Sequence, residues 1–323
     1  MRRSNCVLAR RSHPRQPLAA SHTVTFTPIF DTNIFGHVQS GIISRKDWQR
    51  VVQNKPGLGW PLSLVTVLEL LVDLDNVTEE NFAAFRERID IAFRLANGQI
   101  LEDPKFLICK NLLRVPVPPH IVPPSAAVLS MHINVIRRAR SLKELLTGTV
   151  KSKPNQPSGL RDTNAPKLIV EDVKNTWIHR VKSTATALYP EWGNCFAQTG
   201  RRLPVEIRRA FEQELDFDAE AIRFTDELLD WYEVDKKPEI VAELKPRLDA
   251  QIRFTIFVVT EFLLRNYSLE KHDSDVFDQF QLGYLALDEF IIVSNDPDMW
   301  KRTAGSPQSS RIMSFETFLH SLP

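Results

Sequence analysis

A chain of 323 residues with 43% hydrophobic and 25% charged side chains has the profile of a soluble globular protein, long enough for one large domain or two ordinary ones. A formal net charge of +1 excludes a global field that draws in nucleic acid, so any basic surface must be local. Cys6, Cys109 and Cys195 are too widely spaced for a paired framework or a CxxC zinc clamp, which points to a reducing, cytoplasmic setting.

The first 22 residues carry Arg2, Arg3, Arg10, Arg11 and Arg15 and no acid. They lack a secretory apolar core and a clear amphipathic repeat, so residues 1–23 read as a disordered basic tail, with a targeting peptide as the lesser alternative. "VTFTPIF" (Val24 to Phe30) is a strand whose first half is weakened by Pro28, which has no N–H to donate. Ile34 to Val52 has Ile34, Val38, Ile42 and Ile43 at helical spacing. "SLVTVLELLVDL" starts a second helix with Ser63 as N-cap, and Thr78-Glu79-Glu80 starts a third that stops near Asn97-Gly98.

Composition then changes. "RVPVPPHIVPP" (Arg114 to Pro124) has too many prolines for a regular element, and Thr147 to Lys167 reads as a polar, mobile loop. Helical patterns cover Ser125 to Leu146, Pro204 to Val234 and Pro238 to Asn266. The last of these holds the longest apolar run, "FTIFVVTEFLL", which is too short and too interrupted to span a membrane. Asp275 to Asp288 is a helix, "EFIIVS" a buried strand, "RIMSF" a short strand and "ETFLHSL" a terminal helix. Strands at both ends with helices between predict an α/β sheet interrupted by a mainly helical insertion over 98–271.

The acids fall in a pattern. Asp31 follows the first strand and Asp296 follows "FIIVS". In an open parallel sheet, ligands bind beyond the carboxyl ends of the strands, so both can reach one cleft. Glu69 interrupts an apolar helix about 140° round from Leu64. Asp275 and Asp278 lie one turn apart on the last long helix. Each has a plainer reading as a helix cap, a first-turn acid or a solvated face. Taken together they suggest a hard, all-oxygen site for Mg²⁺ or Mn²⁺, with Asn33 and Ser294 in support.

"FDTN", "SLVTVLELL" and "SDVFDQFQLGYLALDEFIIVSNDPDM" resemble, in that order, the motifs of the PIN-domain family of metal-dependent ribonucleases. The resemblance covers 24–97 and 272–323 and implies a Rossmann-like fold with a central parallel sheet flanked by helices. It implies Asp31, Glu69, Asp278 and Asp296 as catalytic metal ligands, Asp275 as an auxiliary ligand, and endonucleolytic cleavage of RNA. Many members are toxins of toxin–antitoxin pairs, so an antitoxin or other protein partner and a homodimer belong to the same expectation. A PIN-fold module that binds RNA or protein without cutting is the alternative. Asn33 stands where a haloacid dehalogenase would have its second acid, which argues against that reading. P-loop, dinucleotide-binding, HExxH and GxSxG motifs are absent.

His37, His120, His132, His179 and His272 show no metal-ligand spacing and read as surface or packing residues, with His37 one helical turn beyond Asn33. "RRARSLKE" (Arg137 to Glu144) and Arg201-Arg202 are local basic patches, read either as solvated helix faces or as a phosphate-tracking surface. Trp177, Trp192, Trp231 and Tyr232 are read mainly as core, with base stacking as the sharper alternative.

Overall fold

The computed structural model describes residues 26–116, 126–147, 164–188, 233–265, 267–272 and 274–323, with isolated positions between 206 and 230. The basic tail, Arg201-Arg202, Trp192, Trp231, Tyr232 and nearly all of the helix expected over 204–234 lie outside the described residues. What is described is helix-rich with a small parallel sheet, the mixed α/β organisation expected from strands near both ends of the sequence.

Three strands form that sheet in the order β1 (Thr27–Phe30), β2 (Phe290–Val293), β3 (Ile312–Met313), all parallel. β2 is central and buried along its whole length, as its uninterrupted "FIIV" requires. Pro28 is accommodated because β1 is an edge. Thr27 N–H donates to Glu289 at 2.7 Å and Asp31 N–H to Val293 at 3.0 Å, so Pro28 falls at an alternate position where no ladder donor is needed.

Helices follow directly. The single helical pattern read over Ile34 to Val52 is two helices, α1 (Thr32–Ser40) and α2 (Arg45–Gln53). Gly41 at φ +80 closes α1 in the left-handed region, and Ser44 opens α2 by accepting from Asp47 N–H. Ile42, counted into the apolar stripe, is left 72% exposed in that turn. α3 (Leu64–Val72) is capped by Ser63 as expected, and α4 (Phe82–Leu95) runs to the Asn97-Gly98 stop. α5 (Pro104–Leu107) leads into a wider π turn.

The helix read over Ser125 to Leu146 breaks near Ser141 into α6 (Ala126–Arg138) and α7 (Leu142–Leu146). α8 (Asn164–Leu188) begins inside the stretch read as a polar loop. α9 (Pro238–Arg247) and α10 (Asp249–Arg265) replace the single helix expected there. α11 (Asp275–Leu282) ends in a 3-10 turn through Ala286, and α12 (Pro297–Arg302) and α13 (Phe315–Ser321) finish the chain. None of the described helices is long and apolar enough to cross a membrane.

Phe30 anchors one side of the sheet in an aromatic group with Phe35, Trp48, Trp60 and Phe318, at ring-centroid distances of 5.3 to 6.4 Å. On the helical side, α8 and α10 pack against α3 and α11. Trp177 Nε1 on α8 donates to Gln279 Oε1 on α11 at 2.6 Å, and Gln279 Nε2 donates to Thr255 Oγ1 on α10 at 2.6 Å. Trp177 is therefore a buried joint, unavailable for base stacking. Described residues within 98–271, Leu129, Ile133, Trp177, Val181 and Phe254 among them, thus belong to the same core as the strands.

Candidate functional site

The carboxyl ends of β1 and β2 lie side by side because Phe30 is paired with Val293. Each strand therefore releases its next residue, Asp31 and Ser294, at the same edge. Asp31 occupies the N-cap position of α1, yet its side chain makes no capping hydrogen bond. Instead Ser294 Oγ donates to Asp31 Oδ2 at 2.6 Å and Asn33 Nδ2 donates to the same oxygen at 2.5 Å. Asn33 Nδ2 also lies 3.1 Å from Ser294 Oγ, so Asp31, Asn33 and Ser294 form a closed triangle. Thr32 Oγ1 donates to Oδ1 at 3.3 Å.

α3 is drawn to this edge by Thr66, whose hydroxyl donates to Phe30 O at 3.0 Å. That places Glu69, one turn on, over Asp31. α11 contributes Asp278, and α12 contributes Asp296. A cavity of about 320 Å³ is lined by Asp31, Thr32, Asn33, His37, Glu69, Ser274, Asp278, Asn295 and Asp296. The structure thus brings together Asp31, Glu69, Asp278, Asp296 and Asn33 at one opening, with Ser294 buried directly behind them.

Asp296 differs from Asp31 in that it does cap: its Oδ1 accepts from Asp298 N–H at 2.8 Å. Asp275 is not brought to the cavity. Its Oδ2 is 2.8 Å from Arg302 Nη1 and also accepts from Tyr267 Oη. A guanidinium fills the role the sequence reading gave to a metal ion, and Asp275 is a buried ion-pair partner. Arg137, in the basic run, is likewise paired with Asp90 at 2.6 Å. Two cavity residues that the sequence reading left out, His37 and Asn295, are in contact: Asn295 Nδ2 is 3.3 Å from His37 Nδ1.

So many acids in one recess cannot all ionise. Burial, and then the Asp31 charge, pushes Glu69 up to about 8. Burial raises Asp31, against the opposing pull of the Ser294 hydrogen bond. Asp278 is raised well above the carboxylate range by burial first, then by Asp31, Glu69 and Asp296. Glu69 Oε2 is buried with no hydrogen-bond partner. An unpartnered carboxylate oxygen in a proton-loaded acidic cavity suits a hard cation in its donor chemistry. Among the described residues, though, no group of three His, Cys, Asp or Glu side chains is arranged to hold a metal ion.

No protein-family model matches the chain, and neither a curated protein nor a solved structure matches it.

Proposed function

We propose that the protein is a Mg²⁺- or Mn²⁺-dependent endoribonuclease with a PIN-type, Rossmann-like core, acting on RNA in the cytoplasm. The observation that carries this reading is the meeting of Asp31, Glu69, Asp278 and Asp296, from four separate elements, at the carboxyl ends of two parallel strands. Asp31, locked by Ser294 and Asn33, is the fixed point of the site. Glu69 and Asp278 hold protons while the site lacks a cation and give them up to admit one. When bound, the ion supplies charge neutralisation at the phosphate and a water of lowered pKa. Asp296, tethered by its cap, orients the opposite wall.

The test is cleavage of RNA by the full chain with and without EDTA, repeated with Asp31→Asn. Chelation should abolish cleavage, and the variant should lose on the order of a hundredfold or more in kcat/KM. Undiminished cleavage in both cases would refute the mechanism.

A second reading, a PIN-type module that binds RNA or protein without cutting, is favoured by one observation: among the described residues, no three His, Cys, Asp or Glu side chains are arranged to hold an ion. Calorimetry with Mn²⁺ separates the two. The enzyme takes up metal in a manner that Asp31→Asn weakens, and the binding module does not.

A further inference from the structure

His37 and Asn295 sit at the rim of the acidic cavity with no part in the ligand set. Asn295 is pinned on three sides. Phe315 N–H, at the start of α13, donates to Asn295 Oδ1 at 3.0 Å. Asn295 N–H donates to Asn33 Oδ1 at 3.3 Å. With the carbonyl oxygen of the side-chain amide engaged by a backbone donor, the group turned toward His37 must be the –NH₂. It lies 3.3 Å from His37 Nδ1. An amide –NH₂ only donates, so Nδ1 must present its lone pair, and the proton of the neutral ring belongs on Nε2.

The consequence is chemical. A cavity walled by Asp31, Glu69, Asp278 and Asp296 offers acceptors in plenty, whereas a polynucleotide phosphate needs donors. His37 Nε2–H is a donor whose placement is set by a chain running from α13 through Asn295.

We propose that His37 is a substrate-binding residue whose Nε2–H donates to a phosphate oxygen of the RNA strand entering this cavity. The proposal rests on the ribonuclease reading for its substrate. The tautomer it requires does not.

Two measurements decide it. In the metal-free wild-type protein, long-range proton–nitrogen NMR correlations of the His37 ring should show Nδ1 unprotonated and Nε2 protonated. Asn295→Ala, checked for folding by its amide spectrum, should shift the ring toward a mixture. A proton resident on Nδ1 in the wild type overturns the proposal. Steady-state cleavage of a fluorescent single-stranded RNA with Mn²⁺ then compares wild type, His37→Ala and His37→Gln, whose amide nitrogen reaches the place of Nε2. His37→Ala should raise KM roughly tenfold or more with kcat changed little, and His37→Gln should recover most of that loss. Equal KM for all three overturns the proposal. Should the wild type cut nothing, the ribonuclease reading fails by itself. Anisotropy with the same RNA then decides on His37: weaker binding by His37→Ala that His37→Gln restores supports it, and equal or absent binding overturns it.

Discussion

Arg302 Nη1 lies 2.8 Å from Asp275 Oδ2, and the two side chains are only 5% and 9% exposed. The pair joins α12 to α11, the helices that carry Asp296 and Asp278. Arg302 is further enclosed by the rings of Phe254 and Tyr267, at 5.1 and 5.8 Å from its guanidinium carbon. Removing one partner leaves the other charge buried. Arg302→Met is expected to destabilise the protein by about 3–5 kcal/mol, read from urea midpoints. The double variant Asp275→Asn/Arg302→Met should recover much of that cost. Additive losses would show that the two charges act independently.

The triangle around Asp31 makes a second, smaller prediction. Ser294 Oγ donates to Asp31 and accepts from Asp296 N–H at 3.0 Å, within a side chain that is fully buried. Ser294→Ala should cost about 1–3 kcal/mol. It should also raise the Asp31 titration further, because the hydrogen bond lost is the largest influence lowering it. Carboxyl-carbon NMR across a pH series reads the shift directly.

Protonation of the cavity sets the pH profile of the chelated protein. Glu69 stands near 8 in the folded state against an ordinary 4.5, so the folded state holds this proton more tightly than the unfolded one. Its contribution to stability is therefore complete below about 4.5 and lost as pH rises to about 8. Asp31 and Asp278 shift in the same direction. Tm in EDTA should fall across that window, and Glu69→Gln, which cannot ionise, should flatten the slope. Added Mn²⁺ should raise Tm more at the alkaline end, where protons no longer compete. A Tm that climbs with pH in EDTA contradicts this account.

Gly59 sits at φ +84, and a Cβ there would meet the Ala96 carbonyl carbon at 2.7 Å. Gly59→Ala is expected to cost at least about 1–3 kcal/mol from backbone strain alone, measured by denaturant unfolding. The clash with the end of α4 adds to it.

Legibility in the sequence followed the range of the interactions. Asp31, Glu69 and Asp296 could be picked out because each interrupts or follows an apolar run, and Asp278 because it lies one turn from Asp275, signals contained within a few residues. Asn33 and Ser294 stood out for the same reason, being neighbours of those breaks. The pairing of Asp275 with Arg302 carries no local signal, because it depends on how α11 and α12 pack. His37 and Asn295 lie 258 residues apart, and their contact exists only once β1 and β2 pair. The start of α8 was hidden by the prolines and serines that precede Asn164. The break between α1 and α2 turned on the left-handed conformation of Gly41 outweighing a continuous apolar stripe.

The seam between β1 and β2 has a bearing on synthesis. Asp31 leaves the ribosome 263 residues ahead of Ser294. At about 5–20 residues per second, that interval is on the order of tens of seconds. Throughout it, the nascent chain carries the first acid without its anchor or the opposite wall. Under the ribonuclease proposal this is a built-in delay: the acids are gathered into one cleft only after Ser294 and Asp296 have been made.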